Sequence, residues 1–235
     1  MIIQTLYSAN FSKKLRKNTD IKLIVIHYTG MQSRIESIKR LLNPKHKVSA
    51  HYLIDRKGRI LKMVDDNKIA WHAGKSKWKN YINLNKYSIG IELVNKGHKF
   101  GYEKFTISQV NKLIQLCKNL KNKYKIKNSN IVGHSDIAPL RKQDPGEKFP
   151  WQKLQKNKIG IWYKKLQSKS LNLNDKKVKK LFFANLFKIG YRYFNKNRRS
   201  KKDIFLIEAF QRRFLPNKVT GKIDEKTFKI SNFLA

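Results

Sequence analysis

Two histidines and one aspartate stand where a metal centre would need them. His27 closes the apolar run 21–26 (Ile-Lys-Leu-Ile-Val-Ile), His134 closes the short run 131–133 (Ile-Val-Gly), and Asp144 sits in the loop 141–146 (Arg-Lys-Gln-Asp-Pro-Gly). A strand that ends in His delivers an imidazole to the rim of a sheet, and two neighbouring strands ending alike aim both rings at one point. With the loop carboxylate the set becomes His, His, Asp. Three such ligands, with a fourth position left to water, are a donor set for catalytic zinc. Zinc brings the pKa of that water to about 7, so hydroxide is available at neutral pH. Taken singly, each His also reads as a polar residue satisfied at the surface; the constellation is what carries the metal reading.

Two further residues fit around this set. Glu92 lies in 89–94 (Ile-Gly-Ile-Glu-Leu-Val), which reads as a buried strand. A carboxylate there is costly unless something pairs with it, and a nearby cation would do so. An edge strand with one solvated side is the alternative. In an extended loop residues i and i+2 point the same way, so Lys142 shares a direction with Asp144 and can offset an oxyanion beside the metal. One more exposed lysine is the alternative for Lys142.

The stretch from Ile21 to about Leu154 resembles the type-2 N-acetylmuramoyl-L-alanine amidases, zinc enzymes related to peptidoglycan recognition proteins. The matching segments are 25–29 (Val-Ile-His-Tyr-Thr), 48–55 (Val-Ser-Ala-His-Tyr-Leu-Ile-Asp), 70–74 (Ala-Trp-His-Ala-Gly), 88–95 (Ser-Ile-Gly-Ile-Glu-Leu-Val-Asn), 133–136 (Gly-His-Ser-Asp) and 141–146. Their common order is more specific than any one of them. The resemblance implies that His27, His134 and Asp144 hold zinc, that Glu92 is the catalytic acid or base, and that Lys142 stabilises the transition state. It implies hydrolysis of the amide between N-acetylmuramic acid, or its 1,6-anhydro form, and the L-alanine of the stem peptide. Some relatives carry a catalytic Tyr just before the residue matching His51, where this chain has Ala50. That departure points to the cell-wall recycling branch, in which the strand Glu takes over. A peptidoglycan-binding protein that keeps the fold without cutting is the alternative; the complete ligand set argues against it.

Other residues are candidates for the cleft. Trp71, Trp78 and Tyr81 cluster around His72. Aromatic faces suit sugar rings and peptide stems, and core packing is the equal alternative for the two Trp. His72, Trp71 and Tyr28 are assigned to substrate binding, His51 to a structural role, and His46 and His98 to solvated loops.

Composition bounds the remainder. The chain has 235 residues, 40% hydrophobic, with 13 Phe, which suits one ordinary core and a small second unit. Its 54 Lys and Arg against 15 Asp and Glu give a net charge of +39. Such charge raises nucleic acid as a partner. It is spread along the whole chain, follows equally from AT-rich coding, and comes with no helix-turn-helix, zinc-finger or aromatic RNA-binding signature. Specific nucleic-acid binding is therefore not expected, and anionic peptidoglycan or membrane suits the charge as well. No run reaches the length of a membrane span. The first ten residues show no secretory signal or lipid-anchoring Cys, so a cytoplasmic location is expected unless another route exports the chain or holds it at the envelope. The single Cys117 reads as a core residue of an amphipathic helix. Oligomeric state is not legible.

The elements that must position these residues alternate. Strands are expected near 21–28, 50–55, 59–64, 88–95 and 130–134, and helices near 34–42, 106–124 and 151–157. Thr106 reads as an N-cap, followed by apolar Val110, Leu113, Ile114, Leu116, Cys117 and Leu120. This order predicts an α/β fold, a mixed central β-sheet flanked by helices, over residues 1–164. Residues 165–175 read as a polar linker. Residues 176–235 read as a small three-helix domain, with helices at 176–189, 201–214 and 225–234 and Asp224 capping the last. This tail resembles a peptidoglycan-binding unit through 189–191 (Ile-Gly-Tyr), 208–214 and 220–228. A binding module dispensable for chemistry and a helical subdomain that only packs are both open readings of it.

Overall fold

In the computed structural model residues 3–164, 175–195 and 198–235 are described. In chain order the elements are β1 (Ile3–Thr5), β2 (Phe11–Ser12), β3 (Leu23–Tyr28), α1 (Arg34–Leu42), β4 (Tyr52–Ile54), β5 (Ile60–Lys62), β6 (Ile69–Ala70), β7 (Lys77–Trp78), β8 (Tyr81–Ile82), β9 (Ser88–Leu93), α2 (Ile107–Tyr124), β10 (Ile131–Gly133), α3 (His134–Ile137), α4 (Trp151–Lys156), α5 (Asp175–Ile189), α6 (Asp203–Phe214) and α7 (Glu225–Leu234). The expected linker falls on 165–175, of which all but Asp175 lie outside the described residues.

The main sheet has six strands in the order β1-β5-β4-β9-β3-β10. β4, β9, β3 and β10 run parallel, β4 and β5 are antiparallel, and β1 is parallel to β5. The sheet is therefore mixed, as the alternation of strand and helix requires. β3 and β9 are wholly or almost wholly buried runs, the signature of parallel strands covered on both faces.

Side-chain alternation assigns the two faces. Ile24 and Ile26 of β3 and Ile89, Ile91 and Leu93 of β9 pack against Val110, Leu113, Ile114, Cys117 and Leu120 of α2. Thr106 caps α2 by accepting the Gln109 N–H at 3.2 Å. On the opposite face Leu53 packs with Leu41 of α1. Beside it Leu23, Val25 and Val132 share one cluster with Trp78 and with Phe182, Leu186, Phe210 and Phe214 of the C-terminal helices.

The tail thus covers a face of the catalytic sheet instead of hanging from a separate core. Arg213 of α6 also reaches across, its Nη1 donating to Asp136 Oδ2 at 2.5 Å. Removing the tail would expose the sheet residues Leu23, Val25 and Val132 to water. Asp224 caps α7 as expected, accepting the Thr227 N–H at 2.7 Å. No helix among the described residues is long and apolar enough to cross a membrane.

Candidate metal centre

Register explains why the candidate residues meet. In the β3–β9 pair His27 stands opposite Glu92, and in the β3–β10 pair Gly133 stands opposite Ile26. His134 follows Gly133 immediately, so it falls beside His27. It does so as the first residue of the single-turn helix α3. Asp144 arrives from the loop behind that turn, its carbonyl accepting the Ser135 N–H at 2.8 Å.

Three donor atoms converge. His27 Nδ1 and His134 Nδ1 are 2.9 Å apart, and each is 3.1 Å from Asp144 Oδ2. All three residues are buried. The protons of this cluster can be located from its neighbours. Ser88 gives its hydroxyl hydrogen to Leu84 O at 2.6 Å, so its oxygen accepts from His72 Nε2, 3.2 Å away. His72 Nδ1 then accepts from His27 Nε2 at 3.0 Å. His134 Nε2 faces the carbonyl of Ala73 at 3.2 Å, which can only accept; Arg141 Nη2, 3.3 Å from the same nitrogen, gives its two hydrogens to the Ala73 and Lys75 carbonyls. Both outer nitrogens therefore carry hydrogen, and both Nδ1 atoms present lone pairs to each other and to a carboxylate oxygen.

Three acceptors facing one another are repulsive unless a cation lies among them. A proton on His27 does not fill the role at neutral pH: burial, and then the neighbouring His134, lower the His27 pKa to about 4. Donors about 2.0–2.2 Å from a tetrahedral zinc ion stand roughly 3.4 Å apart, within about 0.5 Å of this triangle. The donor set and its outward-held protons fit such an ion.

Glu92 is 8% exposed, and its Oε2 has no hydrogen-bond partner. Burial, and then Asp144, raise its pKa to about 8, with Lys142 opposing. Lys142 and Glu92 line the same cleft of about 540 Å³ as His134 and Asp144, together with the cations Arg40, Lys99 and Arg141.

The residues expected to bind substrate separate here. Tyr28 lines the cleft, its hydroxyl 2.8 Å from His98 Nδ1, while His98 Nε2 is 3.1 Å from Glu147. His98 is exposed on a turn, as expected of a solvated loop, and from there also lines the cleft. His72 also reaches the cleft, but both its nitrogens are engaged by His27 and Ser88. It holds a donor ring instead of offering a group to substrate. Gly90 admits it: a Cβ there would meet His72 Cγ at 2.4 Å.

Trp71 is outside the cleft lining, its indole N–H donating to Ser12 Oγ at 3.1 Å. Trp78 is fully buried against Tyr191 and belongs to the core, and Tyr81 packs on Tyr87. His51 is buried and accepts the Gly90 N–H through Nδ1. Ser88 and Asp136 lie within the segments 88–95 and 133–136 but carry no assigned role in the sequence; Asp136 stands three residues after Gly133, the spacing of a helix-capping carboxylate.

A donor triangle with a buried carboxylate beside it, on the rim of the parallel strands β9, β3 and β10, is the arrangement of a metal-dependent hydrolase. Comparison with known proteins narrows this class. The family profile described as N-acetylmuramoyl-L-alanine amidase matches residues 17–147, and the chain belongs to that family. It is 35% identical over 229 residues to the N-acetylmuramoyl-L-alanine amidase AmiD of Escherichia coli, covering 91% of this chain and 82% of that one. It is 36% identical over 164 residues to the 1,6-anhydro-N-acetylmuramyl-L-alanine amidase AmpD of Haemophilus influenzae, covering 62% and 86%. The solved complex of E. coli AmiD with anhydro-N-acetylmuramic acid-L-Ala-D-gamma-Glu-L-Lys superposes with a TM-score of 0.80 at 32% identity, over 95% of this chain and 91% of that one.

Proposed function

We infer that this chain hydrolyses the amide bond between N-acetylmuramic acid, or its 1,6-anhydro form, and the L-alanine of the peptidoglycan stem, in cell-wall turnover or recycling. The observation that carries the reading is the triangle of inward lone pairs from His27, His134 and Asp144 beside the unpaired carboxylate of Glu92. We assign the triangle to zinc, which when bound supplies Lewis acidity toward the scissile carbonyl and acidifies water.

The chain's own groups do the rest. Glu92, raised to about 8 in the metal-free site, would be brought to its ionised form by a dication beside it and so be free to accept a proton. It takes one from the attacking water and passes it to the leaving amine of L-alanine. Lys142 offsets charge developing on the carbonyl oxygen. His72 keeps the His27 ring in the tautomer that frees Nδ1. Arg40 and Lys99 on the cleft wall suit the carboxylates of a stem peptide.

For the tail the binding-module reading stands as a proposal beside its packing role. Its outer surface has a groove of about 590 Å³ lined by Phe183, Ile204 and Ile207 with Lys179 and Arg199. The zinc-loaded protein is to be incubated with purified sacculi and with soluble anhydro-muropeptide, and the products read by mass spectrometry. Release of free peptides beginning with L-alanine is the expected result; intact substrate in both digests would refute the assignment.

A further inference from the structure

The donor His134 hangs from a weak element. α3 has four residues, and a single helical turn fixes several dihedral angles for very few hydrogen bonds, so it does not hold itself. Two of the three metal donors nevertheless depend on it: His134 is its first residue, and the N–H of its second, Ser135, holds the Asp144 carbonyl. Something outside the turn must fix it.

The fixing group is Asp136. Its Oδ2 accepts the Gly133 N–H at 2.8 Å, closing the turn at its N-terminus. The other partners of that carboxylate come from the C-terminal helices. Tyr191 donates its hydroxyl to Oδ1 at 2.6 Å, and Arg213 Nη1 donates to Oδ2 at 2.5 Å. Arg213 and Asp136 are 2% and 1% exposed. The second arm of the guanidinium, Nη2, donates to Ile131 O of β10 at 3.0 Å, and the group lies 4.3 Å from the Trp151 ring of α4. One arginine thus ties β10, α3 and α4 together behind the donor.

We propose that the C-terminal helices are a working part of the metal centre: Tyr191 and Arg213, acting through Asp136, are positioning residues for His134 and for the Asp144 loop. This rests on the reading of His27, His134 and Asp144 as metal donors. The physical reason is that a buried carboxylate with fixed donors on both oxygens has one orientation, whereas one that has lost a donor swings to find another. The turn it caps then loses the aim of His134 Nδ1. The tail's role in this reading is geometric, and it would hold even if the tail bound no polymer.

The test measures zinc affinity of the full chain by competition with a chromogenic chelator, together with the visible spectrum of the cobalt-substituted protein. Tyr191→Phe removes one donor and leaves the Arg213–Asp136 pair intact; Arg213→Gln removes the charge; Arg213→Lys restores a cation. Phe182→Leu is the control, since it loosens the same hydrophobic cluster without touching Asp136. Supporting donors of this kind are worth about 10–100-fold in metal affinity. Tyr191→Phe is expected to weaken zinc about tenfold and shift the cobalt spectrum. Arg213→Gln should do more, with partial recovery in Arg213→Lys, while Phe182→Leu lowers Tm and leaves affinity unchanged. Wild-type affinity in a folded Tyr191→Phe protein, or an equal loss in Phe182→Leu, would overturn the proposal. A wild-type chain that takes up no metal would sink the metal reading itself and this inference with it.

Discussion

Replacing Glu92 by Gln in the metal-free protein isolates the cost of ionising one buried carboxylate. Burial, and then Asp144, raise the Glu92 pKa from 4.5 to about 8 against the opposing Lys142. Between these values the folded protein keeps a proton that the unfolded chain releases. Stability contributed by this group is therefore complete below about pH 4.5 and is lost as pH rises through about 8. At about 1.4 kcal/mol per pH unit the limit of the effect is roughly 4–5 kcal/mol. The carboxylate faces a cleft that water enters, so about half of this, ~2 kcal/mol, is expected to survive. Gln does not titrate, so the stability of Glu92→Gln relative to wild type should rise by that amount between about pH 5 and pH 8. For a chain of this length this is a Tm difference of about 4–8 °C. His27, lowered to about 4, acts in the opposite sense, since its contribution is lost as pH falls from 6.5 toward that value; it is common to both proteins and cancels. Thermal and urea unfolding of chelator-treated protein across this range measures the difference. Zinc loading should shrink it, because a dication beside Glu92 favours the ionised form. Parallel pH profiles for the two stripped proteins would refute the reasoning.

Elemental analysis of the purified protein should find about one zinc per chain; His134→Ala should lose the metal and the activity while keeping most of its secondary structure by circular dichroism. Glu92→Gln should keep the metal and lose about 10²–10⁴-fold in turnover, as for a missing general base. Lys142→Ala should lower kcat more than it raises KM in steady-state assays, because its charge acts in the transition state. His72→Ala should weaken zinc by about 10–100-fold in chelator competition, since His27 loses the acceptor that fixes its tautomer.

The donor residues were legible because each follows an apolar run whose end fixes its place on the sheet rim. Their register was not, since nothing local states that β3 lies between β9 and β10. That neighbourhood is what sets His27 beside both Glu92 and His134. His72 was legible as a residue of the site and not as a support for His27, because its role is defined by which nitrogen faces Ser88. Gly90 held the available signal: a glycine inside a strand pattern marks a close approach, here by the His72 ring. β1, β2 and β6 to β8 have two or three residues each, too few for alternation to show. In the tail, α5 carries Phe182, Phe183, Leu186 and Ile189, all buried, on one apolar stripe of ordinary breadth. Such a stripe does not say whether it meets its own neighbours or the catalytic sheet. Arg213 gave no more. It looks like one basic residue among many, and its partner Asp136 stands 77 positions away.

The candidate centre is unfavourable when its donors are considered alone. Two imidazoles and one carboxylate turn lone pairs toward each other at 2.9–3.1 Å, and a fourth buried group, Glu92, lacks a partner on one oxygen. The arrangement persists because every other constraint on these residues points outward and is satisfied. His27 is anchored through His72, Ser88 and Leu84, and His134 through the Ala73 carbonyl. The strand bearing His27 is packed on both faces, by α2 on one and by the C-terminal helices on the other. Repulsion among the donors cannot relax without breaking those bonds or opening those cores. A cation entering the triangle removes the repulsion without demanding new order, so little of its binding energy is lost to reorganisation. The same rigidity that keeps these lone pairs facing one another is what holds the donors ready.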